Sequence, residues 1–343
     1  MKQLKIVQAI FTGGFAGSER IVAELCNGLS ERHDVLLLMS TDSPLDGKSI
    51  LTYVNDRVRY KRIPGFLRPL RVAFETWKFG ANIYHGHLGR AVRYAKYILS
   101  PTKRIATWHM GRPITVTKLD GITLVSKWQN ALSRKGRGSP KFAVVPNWVS
   151  RFETPATDRI ESLKDEAGIR DYKFVLGFVG RAPKRKKLQE ALEAFSEWNP
   201  QDVAFVVVGV EAPEISGGAY AADPRIRFLG HREAVFDYYS IMDCVVFPAT
   251  NEAFGLVAIE AMRAGRRLIL HNSHGLKDIA SENPDIISID ADEPGQLRQA
   301  YIEAFNRRNE SPNYDMSLYE PEARIRDIEK LYADLLEPTG DSS

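Results

Sequence analysis

Two successive series of short apolar runs constrain this chain more than any other feature. The first series covers residues 5–11, 34–39, 58–63, 82–87, 104–108, 121–125 and 142–145. The second covers 173–179, 203–208, 226–229, 244–247, 267–270 and 286–289. Intervening segments such as 17–29 and 127–134 repeat their apolar residues at helical spacing. Short, mostly apolar runs suit buried strands, and their alternation with helical segments suits βαβ units around parallel sheets. Between the series, residues 146–157 carry Pro146, Pro155 and a polar tract without periodicity, which marks a boundary. The expected architecture is α/β, with two Rossmann-like, doubly wound domains facing across a cleft: residues 1–150, residues 151–318, and a tail 319–343. The helical pattern at 323–336 follows Pro321 and is expected to return to the first domain.

A length of 343 residues supports two cores rather than one. No apolar run approaches the roughly 20 residues that cross a bilayer, and the first seven residues lack a signal-peptide core. The expected location is cytoplasmic, with peripheral contact at the inner face of the membrane. Cys26 and Cys244 stand far apart within apolar segments, which argues against a disulfide framework or a cysteine metal site. The net charge of +4 conceals a division: residues 1–158 hold 25 Lys+Arg against 11 Asp+Glu, a balance of +14, and the remainder holds 22 against 32, or −10. The basic half favours an anionic partner, whether nucleic acid, a phosphorylated substrate or an acidic membrane surface.

Three motifs carry chemistry. Two glutamates, Glu252 and Glu260, are separated by seven residues that include Phe254, Gly255, Leu256 and Val257. The pattern reads as a loop entering a helix, with Glu252 before it, Glu260 about a turn inside, and the amides of Phe254 to Val257 as unpaired donors for a diphosphate. Gly180 and Arg181 follow the first run of the second series and lead through Lys184, Arg185, Lys186 and Lys187 to a helix near Leu188. In an otherwise acidic half, Arg181 and Lys186 suit the two charges of a diphosphate. Gly13, Gly14 and Gly17 occupy the first strand-to-helix turn, where they are expected to permit positive φ angles and close backbone approach to a ligand. Their order is not the dinucleotide fingerprint, so a nicotinamide cofactor is disfavoured. His85 and His87 are expected to point to opposite faces of their strand and to be structural rather than a metal pair. No carboxylate pair of the kind that holds a divalent metal is evident in the sequence, and no metal or other cofactor is expected.

In this order and with these spacings, the chain resembles the family-4 retaining glycosyltransferases of the GT-B fold. Segments 83–87, 107–109, 125–127 and 145–147 add to the match, which runs through nearly the whole chain. The resemblance implies a nucleotide-diphosphate sugar donor bound by the second domain and a glycan or glycolipid acceptor received by the first, in cell-envelope polysaccharide or lipopolysaccharide biosynthesis. It implies that Arg181 and Lys186 neutralise the diphosphate, that Glu260 holds ribose hydroxyls, and that Glu252 contacts the transferred hexose. Gly13, Gly14, Gly180 and the amides of Phe254 to Val257 complete the donor cradle. His109 is implied to hydrogen-bond the sugar and support the transition state. Three departures concern loop geometry: Lys187 and Trp148 stand where the family usually has glycine, and Pro183 stiffens the phosphate loop. A nucleotide-sugar epimerase or hydrolase of the same fold, and a non-enzymatic nucleic-acid binder, are the alternatives. The absence of a recognised nucleic-acid motif disfavours the second.

Overall fold

The computed structural model describes residues 2–43, 49–109, 118–132, 139–212, 220 and 222–337. The chain divides into two compact units, residues 1–148 with 318–343, and residues 149–317.

The first unit is built on β1 (Lys5–Ile10), β2 (Asp34–Ser40), β3 (Arg59–Ile63), β4 (Ile83–His87), β5 (Lys103–Trp108), β6 (Gly121–Leu124) and β7 (Lys141–Val144). These strands form one parallel sheet in the order β3-β2-β1-β4-β5-β6-β7. Its helices are α1 (Gly17–Ser30), α2 (Arg68–Phe79), α3 (Leu88–Tyr94) and α4 (Lys127–Leu132). The expected helical segment 127–134 ends beyond α4 in residues outside those described.

The second unit holds α5 (Thr157–Ala167), β8 (Phe174–Val179), α6 (Leu188–Trp198), β9 (Val203–Val208), β10 (Ile226–Gly230), α7 (Val235–Tyr239), β11 (Cys244–Phe247), α8 (Leu256–Arg263), β12 (Arg267–His271), α9 (His274–Glu282), β13 (Ile287–Ile289) and α10 (Gln296–Asn306). Its sheet is also parallel, in the order β10-β9-β8-β11-β12-β13. The helix α11 (Pro321–Leu336) completes the first unit.

Both sheets therefore have the doubly wound order, and both reverse direction beside their first strand. In the first unit the reversal lies between β1 and β4, in the second between β8 and β11. Ligands in such sheets collect outside the carboxyl ends of the strands at the reversal. β8 and β9 are buried along their whole length, because helices cover both faces, whereas β3 and β7, at the edges of the first sheet, are largely exposed or half-buried. Phe174, Phe178, Leu192, Phe195, Phe205, Val207 and Tyr301 form the centre of that core.

Helix α11 packs on the first unit through glycines that leave no room for a side chain. A Cβ on Gly28 would lie 2.2 Å from Ile325 Cδ1, and one on Gly121 would lie 2.8 Å from Leu335 Cδ1. Arg32 donates to both carboxylate oxygens of Glu329, at 2.9 and 3.0 Å, and the buried His33 ring lies 3.2 Å from the same carboxylate. A paired carboxylate at this depth avoids the penalty of an isolated buried charge.

Candidate active site

In the second unit the motif residues gather at the carboxyl ends of β8 and β11. Gly180 follows β8 with φ +114°, a conformation that favours glycine, and a Cβ there would stand 3.2 Å from the Lys186 ammonium. Gly209, after β9, has φ +98° and packs on Gly180, so the backbones after these two neighbouring strands meet without side chains between them. Arg181 is exposed. Pro183 opens a short turn of 3₁₀ helix at Lys184–Lys186, and α6 begins at Leu188.

That turn points Lys186 inward. Its ammonium lies 4.9 Å from the Phe247 ring centroid, at the end of β11. Burial pushes its pKa down; Glu252 and Glu260 oppose the shift, while Arg185 and Arg181 reinforce it. A desolvated ammonium flanked by two carboxylates and two guanidiniums responds strongly to an added anion, because a nearby negative charge favours its protonated form. Lys187, where the resembling family has glycine, takes the left-handed conformation with φ +51°. Its ammonium donates to the Ala291 carbonyl at 3.2 Å and pairs with Asp292, contacts that offset the local backbone cost.

The two glutamates stand on either side of a helix start. Helix α8 begins at Leu256 behind Gly255, whose φ is +103°. Glycine is required there twice over, since a Cβ would also meet Leu276 Cδ2 at 2.4 Å. The amides of Leu256 and Val257 open the first turn and have no carbonyl within the helix to bond. Phe254 lies before the helix, so the donor set at this terminus starts two residues later than expected. Glu260 is the fifth helical residue and accepts a 2.7 Å hydrogen bond from the Tyr239 hydroxyl.

Glu252 lies in the loop before α8, paired with Arg185. The Thr250 amide donates to the Arg185 carbonyl at 2.8 Å, and the Gly275 amide to the Glu252 carbonyl at 3.1 Å. These bonds fix the loop between β11 and α8 against both the basic turn and the start of α9. Sequence reasoning missed Arg185 as the partner of Glu252 and Tyr239 as the partner of Glu260; no local spacing announces either.

The sequence also gave no sign of a third grouping. His271, Asp290 and Asp292 bring one ligand atom each within 4.8 Å of one another, the two aspartates being exposed. The Ala291 amide donates to His271 Nδ1 at 2.9 Å, and Lys187 occupies Asp292, so protein donors already serve two of the three members.

In the first unit two expectations are corrected. Gly13 and Gly14 do not have positive φ, and neither does Gly17; a Cβ on Gly13 or Gly14 would meet nothing within 4 Å. Both glycines are exposed beyond β1, so they leave open space rather than relieve strain. His85 and His87 share one face of β4, because side chains two apart on a strand point the same way, and their ring centroids are 4.4 Å apart. His109 follows β5, half-buried, with Nε2 3.1 Å from His87 Nδ1. Burial lowers its pKa to about 4 and that of His85 to about 3, and pushes His87 down as well.

Residues 173–307 match the family model described as glycosyl transferases group 1. A D-inositol 3-phosphate glycosyltransferase of Corynebacterium jeikeium is 31% identical over 168 residues, covering 44% of this chain and 40% of the relative. The chain thus spans about two fifths of that relative's length. Among solved structures, a glycosyltransferase from Rickettsia africae superposes with a TM-score of 0.82 at 14% identity, over 99% of this chain and 100% of the other. HepE of Anabaena, in complex with UDP and glucose, gives 0.75 at 15% identity, over 97% of this chain and 100% of the other. The second unit thus matches a group 1 glycosyltransferase domain, and the chain as a whole has the GT-B fold of these solved glycosyltransferases.

Proposed function

We propose that the chain transfers a hexose from a nucleotide-diphosphate sugar to a hydroxyl of a glycan or glycolipid, with retention at the anomeric carbon. The observation that carries this reading is the setting of Lys186. A desolvated ammonium sits beside a bare glycine backbone and two carboxylates, at the carboxyl end of the strands where the sheet reverses. Lys186 and Arg181 take the diphosphate, aided by Gly180 and the Leu256 and Val257 amides; Glu260 takes ribose hydroxyls, and Glu252 the sugar. His109 is assigned a hydroxyl of the transferred sugar, and Gly13 and Gly14 leave room at the end of β1. HepE, which shares the fold, is described with UDP and glucose, and this supports a nucleotide-sugar donor.

The anomeric carbon–phosphate oxygen bond breaks as the acceptor oxygen bonds the same face of that carbon. The acceptor's proton passes to the departing phosphate oxygen. Negative charge grows on the diphosphate, and fixed cations with helix amides stabilise it there.

The acceptor is proposed to be presented at an anionic membrane surface, on the inner leaflet, in envelope polysaccharide or lipopolysaccharide synthesis. No helix among the described residues is long and apolar enough to cross a membrane. Helix α2 and the turn before it, however, leave large apolar side chains in water: Phe66 is 74% exposed, Leu70 55%, Phe74 54% and Trp77 69%. Spacing of three and four residues puts Leu70, Phe74 and Trp77 on one helix face. Lys61, Arg62 and Arg71 line the same groove as Leu70 and Phe74, an arrangement suited to acidic headgroups above an apolar layer.

The test is transfer of labelled sugar from UDP-, GDP- and ADP-sugars to extracted envelope lipids and glycans. Product with retained configuration, reduced about 100-fold in a folded Arg181→Ala variant, is expected. Wild-type rates in that variant refute the assignment, and sugar altered or released without acceptor identifies an epimerase or hydrolase instead.

A further inference from the structure

The proposed function uses His109 but leaves unexplained the buried polar chain behind it. Gln8 Nε2 donates to the Tyr332 hydroxyl oxygen at 3.0 Å, so the tyrosine spends its own proton on His85 Nδ1, 2.6 Å away. Neutral His85 then carries its proton on Nε2 and donates to Thr107 at 2.7 Å. Thr107 donates to Thr123 at 2.6 Å, and Thr123 to the Ala106 carbonyl at 3.4 Å, a group that only accepts. In the other direction, Gln8 Oε1 only accepts, so His87 donates to it from Nε2 at 2.7 Å. That leaves the Nδ1 lone pair of His87 to accept from His109 Nε2–H at 3.1 Å.

Every link in this chain has one consistent direction. Gln8, His85, His87, Thr107, Thr123 and Tyr332 are all buried, and a polar network at that depth is stable only when its members are satisfied. His109 Nδ1 has no hydrogen-bond partner among the described residues, and the residue is half-buried.

We infer that Gln8, His87 and, from the C-terminal helix, Tyr332 are positioning residues that fix His109 as its Nε2–H tautomer and present Nδ1 outward as a hydrogen-bond acceptor. The inference rests on His109 serving the proposed transfer only for its use, not for its geometry. Helix α11 thereby has a task beyond covering the sheet: its Tyr332 hydroxyl orients the Gln8 amide, whose carbonyl end sets the direction of the histidine pair. A ring presented in this way takes a hydroxyl donor and rejects a second acceptor.

Ring-nitrogen NMR of the full chain labelled with ¹⁵N-histidine tests this, with signals assigned by single His→Gln variants. At neutral pH, His85, His87 and His109 are each expected to carry a proton on Nε2 and none on Nδ1. Gln8→Leu is expected to move the His87 and His109 signals toward a two-tautomer average, and Gln8→Glu, which still accepts from His87, to restore them. Should Gln8→Leu fail to fold, Tyr332→Phe removes one oxygen and is expected to move the same signals. A proton on His109 Nδ1 in the wild type, or unchanged His109 signals in folded Gln8→Leu or Tyr332→Phe, overturns the inference. A fully active His109→Gln enzyme instead sinks the catalytic assignment while leaving the tautomer result standing, so the two failures are distinguishable.

Discussion

Acidification from pH 7 to pH 5 is expected to weaken the first unit through its buried histidines, and His85 permits the effect to be sized. Its ring is completely buried and titrates at about 3 in the folded chain, against 6.5 for an ordinary histidine, with burial as the leading cause and His109 adding to it. Between those values the unfolded chain binds a proton that the folded chain refuses, so stability falls as pH falls. At pH 5 the unfolded ring lies about 1.5 units below its own pKa, which corresponds to about 2 kcal/mol from this one group. His87 and His109 shift in the same direction for the same reason. The perturbation is His85→Gln, compared with wild type by urea denaturation at both pH values. Tryptophan fluorescence suits the assay, because Trp77, Trp108, Trp128 and Trp148 lie in the first unit and only Trp198 in the second. The variant is expected to be less stable at pH 7 but to lose about 2 kcal/mol less than wild type on acidification. An unchanged pH dependence in His85→Gln would refute the claim that this ring is held neutral.

Two other perturbations probe different parts of the molecule. In Gly275→Ala the new Cβ would lie 2.0 Å from the Ala253 carbonyl oxygen, so the loop carrying Glu252 must move. A loss of about 1–3 kcal/mol in urea is expected, and wild-type stability would contradict the packing. The double change Phe74→Ser with Trp77→Ser is expected to reduce sedimentation with vesicles rich in anionic lipid while leaving the melting temperature within a degree or two. Binding that ignores both this change and added salt would remove the membrane surface from the account.

How much of this was legible beforehand depended on whether a feature was local. Parallel strands buried on both faces write themselves as unbroken apolar runs, so β8, β9 and β11 could be read directly, and the helices between them followed from spacing. The start of α8 was legible for a similar reason: Gly255 precedes an apolar helical pattern with Glu260 about one turn in. Glycine count alone misled at Gly13 and Gly14, whose backbone is ordinary and whose value lies in the space they leave. The rule that strand side chains alternate was misapplied to His85 and His87, which it places together. Tyr332 and Gln8 lie 324 positions apart, and Arg185 and Glu252 67 apart, so only the fold brings these pairs into contact. The left-handed backbone at Lys187 was equally hidden, because lysine disfavours that conformation and Ala291 and Asp292, which hold its ammonium, lie over a hundred residues away.

The measurement that bears most directly on the central claim is calorimetric titration of the protein with UDP, GDP and ADP, and with the matching nucleosides. The account predicts saturable binding of at least one diphosphate, none of its nucleoside, and a loss of about 10-fold or more in Lys186→Gln, the share expected of a charged hydrogen bond. Equal affinity of wild type and Lys186→Gln, or no binding of any diphosphate to the wild type, would contradict it.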